Sequence, residues 1–321
     1  MPADQTLKIE SERRWAMTAG ILAVLGVTLI AGSYIYNGSV IPAGDGGSAD
    51  YLVGIEAHRT VQLVSSLFQA LGYMFLVAPL VFLFKAAAAR SPRVRNGLIG
   101  VVIAAPLFMG IAAITNSASN LDAASEYRTN GPALVQTCVR EKSADAGNDQ
   151  SADADSPEQV KADCEDEVAD DLRGGTSTSG LTAGFGLAGV LGFTIGVVYI
   201  SLWLMRTGLL TRFWGSLGMA LGAVSILFPL FVLLWFIYVG LLIAGWVPGG
   251  RPPAWAAGEA IPWPDPRKDA GGDSDDTGDG GDVIEGSAEP LEETEFPPDP
   301  EFPPDDSGPQ IERRKRKRRN G

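Results

Sequence analysis

Five stretches of this chain contain no Asp, Glu, Lys, Arg or His: residues 15–36, 60–84, 97–116, 180–205 and 213–250. A bilayer core of about 30 Å needs roughly 20 apolar residues at 1.5 Å each, and every one of these stretches is long enough. A water-soluble chain disperses its charges because its whole surface must be solvated. Here the 38 acidic residues fall in islands, 6 before residue 60, 14 in residues 116–179 and 18 after residue 246. The pattern excludes a pair of soluble domains. It predicts an all-α, polytopic integral membrane helical bundle over residues 15–250, after a short N-terminal segment at 1–14 and before a tail at 251–321.

The last stretch has 38 uncharged residues, interrupted by Pro229. One straight helix would measure about 57 Å, far more than the hydrocarbon thickness. Two short spans, near 213–229 and 231–247, fit if the chain breaks at Phe228-Pro229, because proline removes a donor and clashes with the preceding turn. Six spans are favoured and five are the alternative. Basic residues support six. Lys85, Arg90, Arg93 and Arg95 crowd the second connection and Arg206 and Arg212 the one after the fourth span, while residues 37–59 carry one basic residue. Cytoplasmic loops are enriched in Lys and Arg. The expectation is a multi-pass protein of the cell membrane with both termini cytoplasmic and residues 37–59 and 117–179 outside.

No Asp, Glu, Lys, Arg or His falls inside an expected span. Proton relays and voltage sensors place such costly residues within the membrane, so a proton-coupled pump is disfavoured. The same absence argues against acid–base catalysis in the spans. The second span does carry a polar row, Gln62, Ser65, Ser66, Gln69 and Tyr73, whose offsets lie on one helical face. Polar groups in hydrocarbon need partners, so this face should turn inward, as packing glue or as a ligand groove. Thr115 and Asn116 are candidate partners. The fourth span carries a small-residue row, Gly180, Gly184, Ala188, Gly192 and Gly196, echoed by Gly218 and Gly222. Small residues allow close backbone approach, within the chain or between copies in a homodimer. His58, between Glu56 and Arg59, has nothing nearby that completes a metal site.

Both cysteines, Cys138 and Cys164, lie in the acidic segment 117–179. Ser156, Pro157 and Gln159 read as a capping box with proline at the first helical position. Val160, Cys164, Val168 and Leu172 form the stripe of the helix that follows, and Leu134 and Cys138 share its spacing after Gly131-Pro132. A helical hairpin stapled by Cys138–Cys164 is expected in an oxidising compartment, with two unpaired thiols as the alternative. Two cysteines without a nearby His make a zinc site improbable, and no cofactor or metal is implied.

After residue 250 the composition turns to Pro, Gly, Asp and Glu, which cannot repay ordering entropy, so a disordered tail is expected. Phe296 and Phe302 recur at a six-residue period, as a docking stripe or as spacer. The cluster Arg313, Arg314, Lys315, Arg316, Lys317, Arg318 and Arg319 should attract anionic lipid. It lacks the aromatic interleaving of sequence-selective RNA binding.

The residues Gly249-Gly250-Arg251-Pro252-Pro253-Ala254-Trp255 and Pro262-Trp263-Pro264 resemble the segment after the final span in multi-pass membrane proteins of unknown function in high-GC bacteria. The resemblance implies a small helical bundle and transfers no catalytic residue. The functional expectation is a non-enzymatic scaffold or accessory subunit of the bacterial cell envelope. The alternative is a small-solute or lipid transporter or channel using the Gln62–Tyr73 face.

Overall fold

The computed structural model describes residues 3–41, 47–146, 156–176 and 178–263. Among them every regular element is helical. Four helices are long and apolar enough to cross a membrane: α1 (Ala3–Val40), α3 (Arg59–Arg90), α4 (Ile99–Ala146) and α6 (Ser179–Arg206). Leu25, Leu67, Phe68, Leu187, Leu191 and Ile195 stand exposed along these helices. Such a belt suits lipid and would promote association in water. The helices stop where local chemistry demands it. Ser91 ends α3 in an extended conformation because it precedes Pro92. Gly208, at φ 75°, turns the chain after α6.

Two shorter helices lie at one end of the bundle, one expected from the sequence and one not. The connection 37–59 contains a helix, α2 (Gly47–Ala57). Helix α5 (Pro157–Gly175) has the expected capping box, with Ser156 accepting from the Gln159 backbone. The third span, however, does not stop at residue 116. Helix α4 runs 48 residues, about 72 Å, through Gly131-Pro132 to Ala146. Pro132 and Arg128 are exposed, so water can satisfy the carbonyl that proline leaves unpaired. Beyond Pro132, Val135 and Cys138 pack on Cys164 and Val168 of α5, and this anchor keeps the helix going. Cys138 and Cys164 are joined, with Cα atoms 5.8 Å apart. Asp166 accepts from the Ala49 backbone at 3.0 Å, the Ser48 hydroxyl donates to Asp170 at 2.6 Å, and Arg128 pairs with Glu56 at 2.9 Å. Together α2, α5 and the far half of α4 form a cap over one end of the bundle.

The 213–250 stretch is broken, at residues 225–228. Helices α7 (Arg212–Val224) and α8 (Pro229–Ala244) have 13 and 16 residues, about 20 and 24 Å, each short of a bilayer core. Pro229 opens α8, and Gly245 closes it at φ 83°. Helix α7 runs back along α6, with Gly215 against Met205 and Gly222 against Val197. At its far end Ser225 meets the Thr194 hydroxyl at 3.2 Å. Thr194 lies 12 residues before Arg206, roughly 18 Å inside the bundle. Helix α8 then returns along α1, so both ends of the pair lie at the end opposite the cap.

Glycine sets how closely these helices meet. A Cβ on Gly72 would lie 2.7 Å from the Gly26 carbonyl, and one on Gly20 would lie 2.6 Å from the Gly240 carbonyl. Gly189 brings α6 onto α4, where a Cβ would lie 2.9 Å from the Met109 nitrogen. The row Gly180, Gly184, Ala188, Gly192 and Gly196 does not act as one seam. Gly192 and Gly196 face α4, Gly180 and Gly184 have nothing within 4 Å, and Ala188 is exposed. Each step of four residues turns about 40° at 3.6 residues per turn, so five positions sweep about 160°.

The end opposite the cap is closed by residues 245–263, part of which was expected to be disordered. The short helix α9 (Pro253–Ala257) seats Trp255 on Phe82 at 5.9 Å, nearly parallel. Trp255 Nε1 donates to the Leu209 carbonyl at 2.9 Å, and Trp263 Nε1 to the Leu210 carbonyl at 2.8 Å. Arg251 donates to the Leu242 carbonyl at 3.3 Å and to that of Ile243, capping α8. Beneath them Arg90, its side chain fully buried, forms a two-pronged pair with Glu12 at 3.0 and 2.9 Å and donates to the Ala254 carbonyl at 3.2 Å. The burial of Trp255 and the partial burial of Trp263, with both indole N–H groups satisfied, supply the ordering energy that composition alone does not reveal. Phe296, Phe302 and the polybasic cluster lie outside the described residues.

This packing makes three predictions. Gly72→Ala should lower the apparent Tm in detergent, at a cost of about 1–3 kcal/mol, because the methyl group meets backbone. Gly32→Ala, which meets nothing within 4 Å, should leave it unchanged. A chain ending at Pro264 should melt with the intact protein, whereas one ending at Pro248 should melt at lower temperature. Glu12→Ala should cost about 2–4 kcal/mol by leaving Arg90 buried without its counter-charge.

Candidate functional site

At the capped end, α1 and α3 run antiparallel while α4 closes the third side. A cavity of about 600 Å³ lies between them, with Tyr51 of α2 against it. The polar row of α3 supplies Gln62, Ser65, Ser66 and Gln69. At 100° per residue these positions and Tyr73 stay within a 100° arc, so the row faces one direction along its length. Helix α1 adds Ser33, Tyr34 and Asn37, and α4 adds Asn116. Thr115, the other candidate partner, instead donates back to the Ile111 carbonyl of its own helix at 3.1 Å.

The lining is part satisfied and part open. Asn37 Nδ2 donates to Gln62 Oε1 at 2.7 Å. Ser33 and Ser66 donate to the Ile30 and Leu63 carbonyls, the usual back-bond of a helical serine. Ser65 is 4% exposed, and its Oγ has no hydrogen-bond partner. Among the described residues, no Asp, Glu, Lys, Arg or His lines the cavity. Tyr51 is outside the spans; burial pushes its phenol up, and the Arg173 guanidinium above its ring opposes that shift. It therefore stays protonated at neutral pH and can donate.

The floor is apolar. Tyr34 also borders a second cavity of about 20 Å³, lined by Ile30, Met109, Val190, Phe193, Leu230, Val232 and Leu233 around Tyr73 and Ser225. That is barely room for one water. Phe193 stacks on Phe236 at 5.7 Å immediately below. The tip of the α7–α8 pair thus seals the polar cavity from beneath, and Tyr73 belongs to the seal rather than to the cavity.

The sequence missed two features here. The cap has its own groove of about 620 Å³, bordered by Val53, Glu56, Tyr127, Arg128, Lys161 and Glu165. Its residues come from three helices, and no linear spacing signals it. The plug at the tip of α7–α8 was legible only as a proline in an apolar run. His58 is exposed at the junction of α2 and α3 and caps nothing with its side chain. Among the described residues no group of three or more His, Cys, Asp or Glu side chains could hold a metal.

The lining makes a paired prediction. Gln62→Leu strands the Asn37 amide and should destabilise by about 1–3 kcal/mol, whereas Ser65→Ala removes an unpartnered hydroxyl and should be neutral or stabilising in the same thermal assay. Compared with protein-family models, curated proteins and solved structures, the chain matches none of them.

Proposed function

We propose that this is a multi-pass protein of the bacterial cell membrane that serves as a non-enzymatic scaffold or accessory subunit of the cell envelope, its cap outside and both termini cytoplasmic. In this reading four helices span the bilayer, and α7–α8 enter and leave by the cytoplasmic face as a re-entrant hairpin. That pair returns the chain to the side it came from, as two complete spans would. The charge distribution supports the orientation. Arg90, Arg93, Arg95, Arg206 and Arg212 gather at the clasped end, and the acidic helix α5 sits at the capped end. The resemblance of residues 249–264 to multi-pass proteins of high-GC bacteria agrees with this setting. The polybasic end would then face anionic lipid of the inner leaflet.

The observation that carries the scaffold reading is the continuity of α4. One continuous helix joins span to cap; a disulfide fixes α5 to it, a salt bridge fixes α2 to it, and a side-chain-to-backbone hydrogen bond joins α2 to α5. Such a cap is a platform carried above the membrane on that helix. The alternative, a transporter or channel, draws on the polar cavity, but the floor of Phe193, Leu230 and Leu233 favours a closed bundle.

Two measurements on intact cells and proteoliposomes test this. In a Cys138→Ser, Cys164→Ser background, Ala144→Cys should react with an impermeant thiol reagent from outside, and Ser91→Cys should react only after permeabilisation. The reverse pattern overturns the orientation. Reconstituted protein should pass no neutral solute; flux abolished by Gln69→Leu would replace the scaffold reading with the transporter.

A further inference from the structure

We propose that the cavity between α1, α3 and α4 binds an uncharged, hydroxyl-rich group, of the chemical class of a glycosyl headgroup. This goes beyond the scaffold reading, which concerns the cap, and either can fail without the other.

The first argument is the unpartnered Ser65 Oγ. A buried hydroxyl without a partner costs free energy, and native proteins satisfy almost all such groups. Its helix neighbour Ser66 is satisfied by the Leu63 carbonyl, so the local backbone allows the back-bond that Ser65 does not make. Ser65 instead sits on the wall of a cavity large enough for a ligand of one or two rings.

The second argument is the kind of polar group present. Gln62, Gln69, Asn37 and Asn116 are amides, each offering donors and acceptors on one planar head. A sugar hydroxyl also donates and accepts, so amides and hydroxyls match it in both roles. With no ionised side chain among the described residues of the lining, a phosphate, carboxylate or ammonium would be desolvated without a counter-charge. The chemistry therefore selects neutral ligands.

The third argument is depth. Gln62 lies three residues into α3 from Arg59, and Gln69 lies ten, so the polar wall extends roughly 5 to 15 Å below that charged residue. Beneath it Leu233 and Phe193 close the bundle. The site is thus a dead-end pocket near one membrane surface, reachable by a glycolipid headgroup from the bilayer or by a free sugar from solution.

The test uses the full-length protein in phosphatidylcholine nanodiscs. Free probes are methyl-β-glucoside and myo-inositol; the lipid probe is monoglucosyldiacylglycerol in the disc. Glucuronate and phosphatidylglycerol are the charged comparators. Binding is read by tyrosine fluorescence and by the apparent Tm. Saturable binding of a neutral probe is expected, with Ser65→Ala weakening it roughly three- to ten-fold and Gln69→Glu at least ten-fold, while Ser65→Ala leaves the ligand-free Tm unchanged or higher. Binding of the glucosyl lipid alone identifies a lipid headgroup site, and binding of a free probe identifies a solute site. The proposal is overturned if folded wild-type protein binds no neutral probe, if the charged comparators bind as tightly, or if neither substitution changes Kd.

Discussion

Helices dissolved in lipid gain little from apolar contact with one another, because the acyl chains are as apolar as leucine. What holds this bundle is backbone against backbone at glycine. Gly26 meets Gly72 and so fixes α1 on α3; Gly20 meets Gly240 and so fixes α8 on α1. Gly189 does the same for α6 on α4, while Gly215, Gly218 and Gly222 of α7 make room for side chains of α6, those of Met205, Ser201 and Val197. The consequences run outward from there. Because α8 is drawn against α1, its first turn arrives beside Ile30 and Tyr34. Because α7 is drawn against α6, its last turn arrives beside Thr194. Those two arrivals place the broken tip under the polar cavity, and the cavity has a floor for that reason.

The clasp depends on a different balance. Arg90 is a charge with no water, and it is tolerated because Glu12, the Ala86 and Ala254 carbonyls and the face of Trp255 surround it. The first helix, the third and the segment after α8 thus converge on one guanidinium. Truncating Glu12 leaves a buried, unpaired charge, so this pair couples the N-terminal helix to the segment after α8.

Much of the fold was legible because membranes impose simple rules. Length and absence of charge located the four long helices, and the capping box located the start of α5 to the residue. The polar row of α3 keeps to a 100° arc, and four of its five residues border one cavity. The glycine row of α6 was not one face, because strict steps of four drift around the helix, and Gly189, off that row, makes the closer contact. The helix through Gly131-Pro132 was hidden because propensity favoured a break while packing on α5 overrode it. The ordered clasp was hidden for a similar reason: residues 251–263 look polar and proline-rich, and only the seats of Trp255 and Trp263 reveal why they fold. The cavity itself needed three helices in register, which no single stretch encodes.

Helix α4 also has a mechanical meaning. It is a rod whose lower half is wedged against α6 at Gly189 and whose upper half carries α5 by a covalent link. Pro106 and Pro132 interrupt its hydrogen-bond ladder at two points, one among the spans and one within the cap. A rod with two such points of reduced stiffness bends there first. A sideways load on the cap is therefore delivered as torque to the contact between α4 and α6, next to the wall that carries Asn116.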